Sequence, residues 1–310
     1  MYLRRSFNIF VTKFNLIFKM LFYIAIVIIL MAAIAVSIFL PSYHSLLREL
    51  EGTEIIPNIK TAAKLLIKGD FEKYAEGYDA LEQSYQEAKT LIEANLNKLY
   101  KLYILLIVVG IVAKVLITLS YIPFVDVVNK FMHSDINEKV THNFVVNGKK
   151  SLIYSFYDLI IVVPLDALIF FIIFGAIKLL MPVLGIFIMP FSVAFGIFVY
   201  MVRVNVLAGW LPAIVYDNMS VASALIHSLK SAKARFLRTF PTYLIIGLMC
   251  FSFYIMFGFS TLGLGYFLGI PMILLFYRVL ELVTYYNLNG HRYYVDHEIV
   301  VEPEKNGSAN

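Results

Sequence analysis

Along residues 70–122 the apolar and aromatic positions fall in alternating steps of three and four. They are Phe71, Tyr74, Tyr78, Leu81, Tyr85, Ala88, Ile92, Leu99, Leu102, Leu106 and Val109, with Asn95 in the single gap. This spacing lays a stripe along one side of an α-helix and seats it against a partner helix. Charged residues crowd the first half, to Lys98, whereas Leu99–Ile122 is apolar enough to lie in lipid. The pattern predicts one helix that leaves a membrane and carries its packing stripe into water, over roughly 40 Å at about 1.5 Å per residue.

Upstream, Ile55, Ile56, Ile59, Ala62, Ala63, Leu66 and Ile67 make a second amphipathic face. Gly69-Asp70 supplies a helix stop followed by a helix cap. Residues 41–98 are therefore predicted to form an extracytoplasmic helical hairpin with its tip at Gly69-Asp70. Its contact face would hold Tyr74, Tyr78, Tyr85 and Asn95. Asn95 either sets the register from a buried position or leaves the core place to Leu96 and faces water.

Long apolar runs recur elsewhere: about Leu16 to Leu40, Leu99 to Ile122, Leu152 to Met181, a fourth ending near Gly209, Pro241 to Ser260, and Tyr266 to Leu288. Runs of this length predict membrane-crossing helices. The fold class expected is all-α, a polytopic membrane helix bundle of about six spans. Its parts are a basic amphipathic helix with span one (1–40), the hairpin (41–98), a five-span bundle (99–288) and a tail (289–310) that is disordered after Pro303. Residues 123–151 are expected as a loop with a turn at Asn147-Gly148, and Met181-Pro182 as a short turn between spans. Within the bundle, 212–240 is expected as a separate helix in the membrane interface. Val221, Leu225, Leu229, Ala232, Phe236 and Phe240 would face lipid, with Asn218 or Ser220 as its cap. Gly265 and Gly269 have the spacing that lets two helices approach closely.

Charge fixes the expected orientation. Residues 42–98 carry seven Lys/Arg and ten Asp/Glu, a net of −3, while residues 1–19 hold Arg4, Arg5, Lys13 and Lys19 and no acid. From Arg203 to Arg238 five basic residues face the single acid Asp217. Basic flanks stay inside, so a cell-membrane protein with both termini cytoplasmic is expected. The chain of 310 residues is 60% hydrophobic and 15% charged, well short of the roughly one-quarter charge usual in soluble domains. The net charge of +5 sits beside apolar runs, so the lipid bilayer rather than nucleic acid is the expected partner. Cys250 is the single cysteine and lies in an apolar run, so no internal disulfide forms.

Catalytic and phosphate-binding motifs are absent, and no cofactor or metal is expected. His297-Glu298 has no second histidine at ligand spacing, and the two Asn-x-Ser sequons lie on the expected inner side. The remaining chemistry is ionisable residues within apolar runs: Lys114, Asp166, Arg203, Arg278 and Glu281. Charges at such depth cost several kcal/mol and turn toward a bundle interior or wet cavity. Arg278 and Glu281, three apart on one helix, are expected to pair. Lys114 and Asp166 are expected to pair across helices, and Arg203 to reach the inner surface. Pro164, two residues before Asp166, suggests a broken helix with free carbonyls.

Leu211-Pro212-Ala213-Ile214-Val215, Ser220, Ala224-Leu225, Ser228 and Phe236 resemble a pattern in a group of bacterial polytopic proteins. That group includes the membrane region attached to some glycerophosphodiester phosphodiesterases. The resemblance covers about residues 200–290. It implies some six spans with an interfacial cytoplasmic helix and no catalysis in the spans. The chain departs from the group by its outer hairpin and by lacking a phosphodiesterase domain. The function expected is a non-catalytic membrane protein whose hairpin docks a membrane or envelope protein or a second copy. The alternative is a transporter or channel-like subunit for an ion, lipid or small solute.

Overall fold

The computed structural model describes residues 2–51, 55–68 and 71–302. The protein is an all-α helical bundle and a multi-pass membrane protein. Among the described residues six stretches are long and apolar enough to cross a membrane: Asn15–Ser45, Leu99–Ser134, Val140–Leu184, Ile188–Val215, Val221–Ser260 and Leu264–Leu288. The chain divides into two compact units, one of Met1–Ile26 with Lys114–Asn310 and the other of Val27–Ala113.

In the second unit, α3 (Ile55–Lys68) packs along α4 (Phe71–Ala94). Asn58 ties the pair, its Nδ2 donating to the Ala80 carbonyl at 3.4 Å and to Ser84 Oγ at 3.3 Å. The expected tip, Gly69-Asp70, lies outside the described residues. The stripe itself divides. Asn95 and Leu102 are buried and Leu81 half-buried, but Tyr78, Tyr85, Ile92 and Leu106 are exposed. Ser84 takes an inward place instead. Short side chains on that face allow close approach, and the tyrosines are left on its outer shoulder.

The expected unbroken helix is also interrupted. Asn95 sits in a turn between α4 and α5 (Leu96–Leu119), buried, with its Nδ2 donating to the Leu91 carbonyl at 3.0 Å. A side-chain amide that bonds its own backbone competes with the helix ladder. Leu96, at 52% exposure, does not take the core place.

The first unit is built around α6 (Tyr121–Ser134), of whose fourteen residues eleven are buried. Phe124, Val128, Phe131 and Met132 join Trp210, Leu211 and Ile214 of α9 (Trp210–Val215) and Val279, Leu282 and Tyr286 of α11 (Leu264–Leu288) in one core. Ile9 and Phe10 of α1 (Tyr2–Thr12) and Leu16 to Ile24 of α2 (Asn15–Glu51) complete it. The amphipathic N-terminal segment is thus two helices, with Phe10 inside and Phe7, Phe14 and Phe18 exposed.

Three expectations are corrected. Residues 123–151 are not a loop: α6 runs to Ser134 and α7 (Val140–Leu184) begins at Val140. Asn147-Gly148 is helical, because the Asn147 amide donates to Asp126 Oδ2 at 2.9 Å and α6 packs on α7. Second, α7 is continuous through Pro164 and Pro182, so no broken helix adjoins Asp166. The turn falls three residues beyond Pro182, at Gly185, whose φ of +52° suits glycine. Third, α10 (Val221–Ser260) is a single helix through Pro241, not an interfacial helix followed by a span. Its buried face is Val221, Ala224, Ser228, Ala232, Arg235 and Thr239, small and polar residues that fit against α8 (Ile188–Leu207). Of the expected lipid-facing set Val221 and Ala232 are buried, while Leu229 is exposed as that expectation requires. Before Pro303 the tail also holds a strand pair that no sequence pattern marks: β1 (Tyr293–Tyr294) pairs antiparallel with β2 (Val300–Val301), and Tyr293 is fully buried. Residues after Pro303 lie outside the described residues.

Ser220 caps α10, its Oγ accepting from the Ser223 backbone N–H at 3.3 Å. Close approach of α10 and α11 is real. A Cβ on Gly265 would stand 2.4 Å from the Phe257 carbonyl oxygen, and one on Gly269 2.9 Å from the Tyr254 ring.

Candidate functional site: a cavity walled by ion pairs

A cavity of about 480 Å³ lies between α7, α8, α10 and α11, with Trp210 of α9 also in its wall. Each helix supplies residues at helical spacing: Tyr154, Asp158 and Val162 from α7, Tyr200 and Arg203 from α8, Cys250 and Tyr254 from α10, Tyr277, Arg278 and Glu281 from α11. Positions three and four apart share a face. Four amphipathic faces therefore meet around one space, in the size range of small-ligand sites. Trp210 donates from Nε1 to the Val221 carbonyl at 2.9 Å and packs on Tyr154 at 4.8 Å, which fixes that wall.

Three ion pairs stand at or beside the cavity. Arg278 Nη1 donates to both Glu281 oxygens at 2.8 Å, as expected from their spacing. The guanidinium also lies 4.4 Å over the Tyr121 ring. The other two pairs differ from expectation. Lys114 meets Asp158 at 2.9 Å, not Asp166. Asp166 instead accepts from Arg203 Nη1, so Arg203 is held between helices rather than reaching for the surface. Arg203 Nη2 donates to the Tyr200 hydroxyl at 2.9 Å. The reason is rotational: α7 turns Asp158 inward to the cavity, while Asp166 stays 42% exposed in its side chain. Of the charge candidates, Arg203, Arg278 and Glu281 line the cavity, and Lys114 and Asp166 stand behind it as counter-ions.

Sequence reasoning passed over Asp158 as a site residue. Its signal was the i, i+4, i+8 series Tyr154, Asp158, Val162. It also passed over Arg235, which is buried against the end of α8 and donates to the Val206 carbonyl at 3.4 Å and to Ser228 Oγ at 3.2 Å. A cation beside helix C-terminal carbonyls is favoured by the helix dipole. The hairpin face does not converge on a site: Tyr78 and Tyr85 are 49% and 56% exposed, and the Tyr74 side chain lies outside the described residues.

A second polar cluster gathers around the α6–α7 connection. Lys130 bonds Asp126, Glu138 and Asn143. The Lys130 hydrogen bond holds the Glu138 carboxyl below its ordinary range. Burial lowers the Lys13 ammonium, with Asp135 opposing; Lys13 lies 3.6 Å over the Phe131 ring. Burial, aided by Asp217, raises the Tyr216 phenol. Among the described residues no group of three or more His, Cys, Asp or Glu gathers to hold a metal ion.

No protein-family model matches the chain, and neither does any curated protein or solved structure.

Proposed function

We propose that the chain is a non-catalytic protein of the cell membrane that binds a small amphiphile within its bundle, as a carrier or channel-like subunit. The observation that carries this reading is the charged cavity between four membrane-crossing helices. Keeping ionisable residues at that depth is costly and is the usual mark of a solute path. Its wall is mixed in the manner of a binding site, with Phe251, Ile270 and Leu274 apolar and the charges few and placed. The basic flanks support cytoplasmic termini. The test is to purify the full chain in nanodiscs, denature it and identify released small molecules by mass spectrometry. Wild type should release an amphiphile that the cavity-filling Leu274→Trp variant lacks while still unfolding cooperatively. Equal content in both, or none in wild type, overturns the reading.

A second reading is favoured by the exposed row Tyr78, Tyr85 and Ile92 on α4. Such a face suits a docking module for an envelope protein or a second copy. Tyr78→Ser with Tyr85→Ser should then abolish a co-purifying partner or a dimer. Unchanged assembly removes the face from that role.

A further inference from the structure

We infer that the cavity holds a ligand with an oxyanion head, a carboxylate or phosphate, on an apolar body; this rests on the ligand-binding reading above. Both carboxylates in the cavity wall are already engaged. Asp158 faces the Lys114 ammonium at 2.9 Å, and both Glu281 oxygens accept from Arg278 at 2.8 Å. The guanidiniums are not used up. Arg203 commits Nη1 to Asp166 and Nη2 to Tyr200, and its Nε–H is buried with no acceptor. Arg278 commits Nη1 alone, and its Nε–H is likewise buried without an acceptor. The Tyr200 hydroxyl, having accepted from Arg203, keeps its own proton to donate.

Two Nε–H donors of the wall thus lack an acceptor, against one carboxylate oxygen without a hydrogen bond, Asp158 Oδ2, which the Lys114 ammonium neutralises. A buried donor without a partner is costly, so the complementary ligand brings oxygen acceptors. Guanidinium forks match the paired oxygens of carboxylate and phosphate. The remaining wall, from Ile270, Leu274 and Phe251, matches an alkyl body. Just across α10 and α11 a nearly apolar groove of about 250 Å³ shares Cys250 and Ile273 with the cavity.

The single tryptophan of the chain, Trp210, lines the cavity, so its fluorescence reports occupancy. The probes are a terminally brominated undecanoate and the matching brominated undecanol, added to the full chain in nanodiscs. The acid should quench Trp210 saturably and bind about tenfold or more tightly than the alcohol, a difference of roughly 1.4 kcal/mol. The preference should vanish in Arg203→Gln and in the double variant Arg278→Gln with Glu281→Gln, which leaves no buried carboxylate unpaired. Inorganic phosphate displacing the acid would point to a free oxyanion; displacement only by long-chain acids or alkyl phosphates would point to a lipid. Either outcome supports the head-group assignment. Equal saturable quenching by acid and alcohol overturns that assignment and leaves the binding reading standing. No saturable quenching by either overturns both.

Discussion

Lys114 of α5 and Asp158 of α7 stand 2.9 Å apart, the lysine one-third exposed and the carboxylate almost closed off. The pair joins a peripheral helix to the cavity wall. Removing one charge strands the other in a poorly solvated place, whereas removing both does not. Lys114→Met should cost about 3 kcal/mol, and Lys114→Met with Asp158→Leu should recover most of it. Thermal unfolding in detergent, read as a double-mutant cycle, checks this; an additive cycle would show the contact to be energetically idle.

Two glycines should respond in opposite directions to the same change. Gly265→Ala would put a methyl group 2.4 Å from the Phe257 carbonyl oxygen, and forcing α10 and α11 apart should cost about 1–3 kcal/mol. Gly148 lies inside α7 with nothing near its missing Cβ, so Gly148→Ala should stabilise by about 0.5–1 kcal/mol. Melting temperatures that move the same way would contradict the helix packing described.

Glu138 gives a pH dependence of known sign. Lys130 depresses its carboxyl below the ordinary value of 4.5. A carboxyl lower in the folded than in the unfolded state stabilises above the unfolded value and loses that effect as pH falls through the folded one. Stability should therefore drop as the pH is taken below about 4.5, and Glu138→Gln should flatten that limb while lowering stability at neutral pH. Denaturant midpoints across that range decide it.

At the start of α10, Ser220→Ala should cost about 1 kcal/mol, because the Ser223 N–H loses its acceptor, and Ser220→Asp should restore it. Hydrogen exchange of the first turn gives a local measure: faster exchange at Ser223 in the alanine variant alone is the expected result.

What could be seen in advance follows the range of each interaction. Apolar run length is a local property, and it located all six crossing stretches. Arg278 and Glu281 pair within one helix, so their spacing was enough. Lys114 and Arg203 choose partners on other helices, and Asp158 and Asp166 are only roughly two turns apart on α7. Which of them faces which cation depends on how α5, α7 and α8 are rotated, and no local pattern encodes that. The face of Val221 to Phe240 was misassigned for a related reason. Arg235 is polar by composition, yet the Val206 carbonyl of α8 and the Ser228 hydroxyl receive it inside. The small β1–β2 pairing escaped notice because two-residue strands carry no periodicity and depend on Tyr293 finding the core.

The continuity of α10 has a mechanical consequence. At about 1.5 Å per residue its 40 residues extend some 60 Å, roughly twice the hydrocarbon thickness. In its first half Arg235 bonds the Val206 carbonyl of α8, and in its second half Cys250 and Tyr254 form a wall of the cavity. Pro241, between them, lacks the amide that would bond back one turn. A flexing of the rod would therefore fall there, between the Arg235 contact and the cavity wall.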